Sequence, residues 1–339
     1  MKRSANILII RTDRIGDLVL TVPLAGIIKK HYPESRVSFL VADYTAPLLQ
    51  NHPDIEDVLR YTNNFKAQLD LVKSKNFDAA ILVHPTFELA KLIYKAKIPI
   101  RISTGYRWYS FLFTDKVYEH RKYGTKHELE HNVNLLAPLG IKENITPASV
   151  HYNIQTDFNS LQKVDEVLES ENFDRSKKSI IVHPGSRGSA IDLPESKFKQ
   201  LIELLARQLN VNIILTGSDS EIDLCKRLSA AGAINLAGRF NLSGLIALIS
   251  RSDLLIANST GPIHIAAALG KACVGFYPPV PALSSVRWAP YTEKRKIFTP
   301  DVECGNKCTK KECLKIKCME KINIQEVAQS VIDIINGST

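Results

Sequence analysis

The sequence lacks the long apolar runs and export features of membrane-spanning or secreted proteins. No stretch approaches the roughly 18 uninterrupted apolar residues that a transmembrane helix requires. The first apolar run, residues 7–10, stops at Arg11 and is too short for the core of a signal peptide. We therefore expect a cytoplasmic protein that touches a membrane without crossing it.

Cysteine is also scarce, with six in 339 residues, and without an export signal we expect these thiols to be reduced. Four of them are bunched at Cys304, Cys308, Cys313 and Cys318. Their spacing lacks the C-x2-C pairs of structural zinc sites. The cluster could bind a metal, form disulfides under oxidising conditions or be a cysteine-rich loop, and we favour an assignment without a metal.

Two common phosphate-binding motifs are absent, since the chain contains neither G-x-G-x-x-G nor G-x-x-x-x-G-K-[ST]. Low-complexity segments are absent too, and 45% hydrophobic and 23% charged residues are ordinary for a globular protein. The length favours two domains.

Short β-rich runs alternate with segments of helical period, which is typical of parallel βαβ units. The predicted strands are residues 6–10, 37–42, 79–83, 179–183, 211–216, 253–257 and 273–277. The predicted helices are residues 17–31, 66–75, 87–95, 128–139, 158–172, 195–208, 220–231, 242–250, 262–269 and 324–335. We predict an α/β protein with two Rossmann-like, doubly wound domains facing a central cleft.

The predicted boundaries are residues 1–165 for the first domain, 176–322 for the second and 323–339 for a terminal helix. The linker is placed in the polar stretch 144–178, and the terminal helix could pack on either domain.

Three ligand-suited turns follow strands of the second half. At residues 256–268, Ser259, Thr260 and Gly261 precede a helix whose free N–H groups and dipole favour an anion, and His264 lies on its first turn. The alternative is a well-capped helix with a buried, hydrogen-bonded histidine. The other turns place Ser186 and Arg187, and then Asp219, after their strands. Together the three turns indicate a nucleotide.

The first half offers a carboxylate, Asp17, where a strand and a tight turn at Gly16 lead into a helix. If Asp17 only stabilises the helix start, its pKa should be lowered. If it is a general base, it faces the cleft and accepts a proton from a hydroxyl.

Basic residues are concentrated between residues 91 and 127, where nine Lys or Arg face two acids for a net +7. Aromatic residues are interleaved with them at Tyr106, Trp108, Tyr109, Phe111 and Phe113. The segment fits an anionic, lipid-bound acceptor, or alternatively a solvated face with a buried aromatic hairpin. We take Arg14, Arg107 and Lys122 as candidate acceptor-binding residues.

A zincin-like pattern, H-E-x-x-H, occurs at His127, Glu128 and His131. No third ligand is apparent downstream, and such a pattern arises by chance on polar helices. Nucleic-acid binding is not supported by any helix-turn-helix, RRM or finger pattern, despite the pI near 9.1.

These motifs, taken in order, resemble those of the ADP-heptose:lipopolysaccharide heptosyltransferases, inverting GT-B enzymes of glycosyltransferase family 9. The resemblance spans nearly the whole chain. The matching residues are Ile15-Gly16-Asp17 with Pro23, His183-Pro184-Gly185-Ser186, Thr260-Gly261-Pro262-Ile263-His264 with Ala266-Ala267-Ala268, Leu139-Gly140-Ile141 after a His-Glu-rich helix, and the Cys304–Cys318 tail with Met319.

The resemblance implies an N-terminal acceptor domain and a C-terminal donor domain. Asp17 matches the general base. Other matching positions would hold the donor: Ser186, Thr260, Gly261 and His264 at the diphosphate, Asp219 near the ribose and Phe240 beside the adenine. The chain departs from the pattern at Ser259, where Asp is usual, and at residues 191–194, where a phosphate-binding Lys is common. Arg187 could replace that lysine.

The sequence therefore predicts a metal-independent, cofactor-free inverting transferase that moves heptose from ADP-heptose to the lipopolysaccharide inner core. The alternatives are a transferase of the same fold with another nucleotide-sugar or acceptor, a non-catalytic nucleotide-sugar-binding homologue, and a zinc hydrolase using the H-E-x-x-H segment.

Overall fold

The computed structural model describes residues 4–171, 173–302 and 309–337. The chain divides into two compact units. The first comprises Met1–Arg121 and Glu128–Gln155, and the second comprises Lys122–His127 and Thr156–Thr339. A short piece from the first half of the sequence thus belongs to the second unit.

Strands and helices alternate in the first unit. Its strands are β1 (Asn6–Arg11), β2 (Arg36–Ala42), β3 (Asp57–Tyr61), β4 (Ala79–Leu82), β5 (Ile100–Thr104) and β6 (Asp115–Val117). Its helices are α1 (Ile15–Val19), α2 (Pro23–His31), α3 (Phe65–Ser74), α4 (Phe87–Lys95) and α5 (Glu128–Asn134).

The second unit repeats this alternation. Its strands are β7 (Ser179–His183), β8 (Asn212–Leu215), β9 (Ile234–Asn235), β10 (Leu254–Asn258), β11 (Ala272–Phe276) and β12 (Arg295–Phe298). Its helices are α6 (Phe158–Ser170), α7 (Glu195–Gln208), α8 (Ile222–Ser229), α9 (Leu242–Ser250), α10 (Gly261–Ala268), α11 (Ser285–Trp288), α12 (Lys310–Lys315) and α13 (Ile324–Asn336).

Both sheets are parallel, six-stranded and ordered alike. The first runs β3-β2-β1-β4-β5-β6 and the second β12-β11-β10-β7-β8-β9, which is the Rossmann order in each case. Their central strands read as continuous apolar runs because helices bury both faces of a parallel sheet. Strand order reverses between β1 and β4 and between β7 and β10, so each unit has a switch point where α/β proteins bind ligands. The predicted doubly wound α/β class is confirmed for each unit.

Several predicted elements are corrected by the structure. The helix predicted over residues 17–31 is two helices, because Pro23 has no N–H to donate to the preceding turn and opens α2 instead. The helix predicted over residues 128–139 ends at Asn134, and a separate 3-10 turn, Ala137–Leu139, contains Pro138. Five strands were not predicted, namely β3, β5, β6, β9 and β12.

The division between the units also differs from the predicted boundary. Helix α6 belongs to the second unit, in which it packs against α9 through its buried Val164 and Leu168, so the division falls between Gln155 and Thr156. The terminal helix α13 also packs on the second unit, where Val327 and Val331 join the core.

The expectation of reduced cysteines is wrong for one pair, since Cys313 and Cys318 form a disulfide. Cys304 and Cys308 lie outside the described residues. In the part of the chain that the structure describes, no helix combines the length and apolar character needed to cross a membrane.

Candidate functional site

The first switch point is occupied by a cluster of paired charges. Arg11, the last residue of β1, is buried, and its guanidinium donates to Asp13 Oδ1 at 2.6 Å and also to Asp17. Glu128, the first residue of α5, lies 3.7 Å from Arg11 Nη1 and also accepts from Arg121. The imidazole of His84, beyond the end of β4, lies 3.5 Å from Asp13. We call these residues the charged cluster.

The carboxyl group of Asp17 titrates well away from its ordinary value. Burial raises its pKa, the neighbouring Arg11 opposes that effect, and the net result is a pKa of about 6. A lowered pKa, expected for a carboxylate that only stabilises a helix start, is not found. A carboxylate with a pKa near 6 is ionised at neutral pH and is a better proton acceptor than an ordinary aspartate.

Arg11 holds Asp17 in place. Burial lowers the pKa of Arg11, but Asp17, Asp13 and Glu128 together outweigh that effect and raise it. The guanidinium is therefore a permanent charge. Asn132 of α5 donates to Leu20 O at 2.8 Å, and Thr21 Oγ1 donates to Asp17 O at 2.8 Å, so the backbone around Asp17 is also fixed.

Two of the three candidate acceptor-binding cations, Arg14 and Arg107, are exposed near the charged cluster. Arg14 is exposed at the start of α1, and its charge lowers the pKa of Asp17. Arg107 is exposed, and its charge lowers the pKa of His84. Arg107 therefore lies near the charged cluster. The side chain of Lys122 lies outside the described part of the structure.

The second switch point contains the start of α10. Thr260 is its N-cap residue, yet the hydroxyl makes no cap hydrogen bond. Thr260 Oγ1 and His264 Nδ1 are buried polar atoms without a hydrogen-bond partner among the residues that the structure describes. Unpaired buried groups of this kind are uncommon and costly in folded proteins. They lie at a helix N-terminus, where backbone N–H groups favour an anion.

His264 is 4% exposed, and burial lowers its pKa to about 3, with a further contribution from His127. The imidazole is therefore neutral, and it can donate through Nδ1 only in the tautomer with the proton there. The alternative of a buried and fully hydrogen-bonded histidine does not describe His264.

Asn258, the last residue of β10, connects the two turns at this switch point. Its Nδ2 donates to Pro184 O at 2.6 Å, and its Oδ1 accepts from Leu193 N at 2.9 Å. Ser189 Oγ also approaches Ser259 O at 3.4 Å, and the Ser259 side chain bonds to Tyr277. Ser186, Ser259, Thr260, Gly261 and His264 are therefore brought to one region of the second unit.

The turn after β7 places Arg187 and Ser186 differently. Arg187 is exposed and has a left-handed φ of 50°. Ser186 is buried and donates to Asp192, whose pKa is raised by burial. Glu221 approaches Gly185 closely, since a Cβ there would lie 1.9 Å from Glu221 Oε1.

Lys310 is a cation at this turn that sequence reasoning missed. Its Nζ donates to Gly188 O at 3.1 Å, and its charge lowers the pKa of Asp192 against the raising effect of burial. It belongs to α12, which carries one cysteine of the Cys313–Cys318 disulfide.

Asp219 and Phe240 lie beyond the ends of β8 and β9. Asp219 is exposed and opens the 3-10 turn Asp219–Glu221. Phe240 is half-buried, and a Cβ on Gly244 would lie 2.9 Å from its ring. The structure gives neither residue a direct contact with Thr260 or His264.

The two histidines of the H-E-x-x-H pattern have separate partners. His127 Nε2 lies 2.7 Å from Ala289 O, and its ring is 4.6 Å from that of Tyr291. His131 Nδ1 lies 2.7 Å from Glu119 Oε2, and Glu128 pairs with arginines. No group of three or more His, Cys, Asp or Glu suited to a metal occurs among the described residues.

Comparison with known proteins places this geometry in context. A family model described as glycosyltransferase family 9 (heptosyltransferase) matches residues 68–319. Lipopolysaccharide heptosyltransferase 3 of Escherichia coli K12 is 26% identical over 296 residues, which are 82% of this chain and 83% of that protein.

Solved structures show the same fold. A crystal structure of a glycosyl transferase family 9 protein from Veillonella parvula has a TM-score of 0.86 at 19% identity, covering 99% of this chain and 98% of that one. A structure of the Escherichia coli ADP-heptose lipopolysaccharide heptosyltransferase II has a TM-score of 0.79 at 18% identity, covering 98% and 99%.

Proposed function

This chain belongs to glycosyltransferase family 9 (heptosyltransferase), and on that premise we propose that it transfers heptose from ADP-heptose to the lipopolysaccharide inner core with inversion at the anomeric carbon. It is a glycosyltransferase whose relatives include lipopolysaccharide heptosyltransferases. The proposal adds the donor, the acceptor and the role of each residue.

In the proposed reaction, Asp17 is the general base. It takes the proton of the acceptor hydroxyl as that oxygen forms a bond to the anomeric carbon, while the bond from this carbon to the diphosphate breaks. Its pKa of about 6 suits this role at neutral pH, and Arg11 keeps the carboxylate oriented. Arg14, Arg107 and Lys122 hold the phosphates and acidic sugars of the acceptor.

The second unit takes up the charge that develops on the departing ADP. The N–H groups at the start of α10, Thr260 Oγ1 and His264 Nδ1 donate to the diphosphate, and Gly261 lets it approach the backbone. Ser186, Ser259, Arg187 and Lys310 complete the donor site, with Asp219 at the ribose and Phe240 beside the adenine. These groups supply the stabilisation without a metal or an added cofactor.

The donor and a lipid-linked anionic saccharide are the proposed partners, with peripheral contact at the inner face of the inner membrane and no nucleic acid. Domains of residues 1–165 for the acceptor and 176–322 for the donor, with the terminal helix 323–339, remain the proposed functional division. The contact-based units shift the boundary between them to residue 155.

The observation that carries the proposal is the pair of unpartnered buried groups, Thr260 Oγ1 and His264 Nδ1, at a helix start. The direct test is calorimetry with ADP, followed by transfer from ADP-heptose to core oligosaccharide from a heptose-deficient strain. We expect ADP binding and transfer of one heptose, detected by mass spectrometry. No ADP binding would overturn the donor assignment.

The second candidate is a related transferase that uses another nucleotide-sugar. It is favoured by the acidic Asp192, which accepts from Ser186 in the turn after β7. It predicts ADP or another nucleotide bound but no heptose transferred, and transfer restored with a different sugar. A non-catalytic homologue would bind the nucleotide and transfer no sugar from any donor.

A further inference from the structure

Exposed aromatic residues are concentrated in one part of the first unit. Two of them, Trp108 and Phe111, are 73% and 66% exposed. The segment 87–118 also exposes Phe87, Tyr94, Tyr106 and Tyr118. Large apolar surfaces left in water usually mark an interaction site. Tyr109 and Phe113 of the same segment are buried, so the interleaved aromatics divide into a core pair and an outer set.

The outer set includes a built surface rather than scattered side chains. The rings of Phe87, on α4, and Trp108 stack with centroids 5.0 Å apart, and Tyr109 lies beneath, 5.8 Å from Phe87 and 5.4 Å from Trp108. Because Tyr109 is anchored through a 2.7 Å hydrogen bond to Pro85 O, the exposed rings rest on a fixed base. We call the stacked Phe87 and Trp108, together with the exposed Phe111 three residues further along the chain, the aromatic patch.

Cations flank the aromatic patch. Lys91 and Lys95 follow Phe87 at one-turn intervals on the exposed side of α4, and Arg107 precedes Trp108. Lys91 Nζ lies 5.3 Å from the centroid of the Phe65 ring. Glu88, an exposed acid on α4, bonds to Tyr61. The balance of charge in this part of the first unit is positive, since residues 91–121 contain seven Lys or Arg and two acids, a net +5.

We infer that the aromatic patch and its lysines dock the first unit onto an anionic bilayer surface. Tryptophan and phenylalanine side chains enter the headgroup region, and basic residues are attracted to anionic lipids there. The inference deepens the proposed function, on which it rests, by naming the residues through which an enzyme acting on a lipid-linked acceptor reaches its membrane. A soluble saccharide is the competing occupant, and the experiment separates the two.

The experiment is flotation with vesicles of phosphatidylethanolamine and phosphatidylglycerol, and with vesicles of phosphatidylcholine alone. We expect the wild-type chain to bind the anionic vesicles, and W108S/F111S to bind them about tenfold more weakly. Phe158→Ser is the matched control, because Phe158 is 77% exposed but lies beside Asp157 on α6 of the second unit. Its binding should equal that of the wild type.

Charge and insertion are tested separately. K91E/K95E should weaken binding to anionic vesicles and reduce its dependence on salt, while Arg107 remains. Trp108 and Trp288 are the two tryptophans, so in W288F the emission comes from Trp108 alone and should shift to the blue on adding anionic vesicles. Equal flotation of W108S/F111S and the wild type, or a shift with delipidated core oligosaccharide but not with vesicles, would overturn the inference.

A transfer assay distinguishes failure of this inference from failure of the proposed function. With a soluble oligosaccharide acceptor, W108S/F111S should retain the kcat of the wild type, whereas with acceptor embedded in vesicles its rate should fall. If the wild type binds vesicles but transfers no heptose, the proposed function fails and the docking surface stands.

Discussion

The switch points of the two units have the same topology but opposite electrostatic designs. In the first, buried charges are paired within the chain, as Asp17 is with Arg11 and Glu128 is with Arg121, although Arg11 Nη1 itself has no hydrogen bond among the described residues. In the second, neither Thr260 Oγ1 nor His264 Nδ1 has a hydrogen-bond partner within the described part of the chain. Under the proposed function, the chain itself supplies the partner of the base, whereas the ligand supplies the partners of Thr260 and His264.

The strongest test of this comparison is Asp17→Asn. Removing a general base should lower kcat by about 10²- to 10⁴-fold and leave ADP affinity unchanged, because Asp17 belongs to the first unit. Steady-state kinetics and calorimetry measure the two effects. Asp13→Asn is the matched control, because Asp13 shares Arg11 as a partner and should show a smaller loss of kcat. Full activity in Asp17→Asn would remove Asp17 from the mechanism.

Thr260→Val tests the second switch point by removing the unpaired hydroxyl. Losing a hydrogen bond to a charged ligand should weaken ADP binding about tenfold or more, whereas the free energy of unfolding of the ligand-free protein should stay equal or rise, since an unpaired buried hydroxyl is removed.

Thr21→Val is the corresponding control in the first unit. The Thr21 hydroxyl donates to Asp17 O at 2.8 Å, so this variant should lose about 1 kcal/mol of unfolding free energy. Chemical denaturation of both variants checks the contrast. Equal destabilisation by Thr260→Val would show that the Thr260 hydroxyl is already paired without a ligand.

A more moderate effect is expected for Lys310→Ala, which removes an exposed cation from the turn after β7. ADP affinity should fall about fivefold, and less at high salt, as for a partly solvated ion pair. Lys311→Ala, on the same exposed helix, should change affinity little. If both substitutions lower ADP affinity equally across a salt titration, Lys310 has no specific role at the turn after β7.

The smallest predicted effect concerns pH. Because the pKa of Asp17 is about 6, kcat/KM should rise with pH through an inflection near 6 as the base ionises. The charge of Arg14 opposes this elevated pKa, so Arg14→Gln should move the inflection to higher pH. A pH–rate profile of each protein with a soluble acceptor measures the shift, and movement to lower pH would contradict the assignment.

Much of the fold was predictable because central strands and well-capped helices carry local signals. Helices α4 and α9 were predicted with their observed bounds, and their N-cap residues, Thr86 and Asn241, each accept a backbone hydrogen bond. The strands that were not predicted include all four sheet edges, β3, β6, β9 and β12, together with β5. Edge strands are half-exposed and short, so they lack the continuous apolar run by which central strands are recognised.

The candidate site shows the same limit. Asp17 and Thr260 could be singled out because each follows a strand and opens a helix. Lys310 could not, since it lies 122 residues beyond Gly188, the residue it contacts. Nor could the sequence show that Arg11 and Glu128 approach each other, because that contact depends on how α5 returns to the first sheet.

The passage of the chain through both units limits how such a protein can be recombined. The backbone passes between them at residues 121/122, 127/128 and 155/156. A chimera joined only at residue 155 would take its 122–127 segment from a different parent than Ala289 and Pro281, which that segment contacts. If the second unit binds the donor, as proposed, exchanging donor specificity between relatives requires residues 122–127 to be exchanged together with residues 156–339. The sequence that sets specificity would then be discontinuous along the gene.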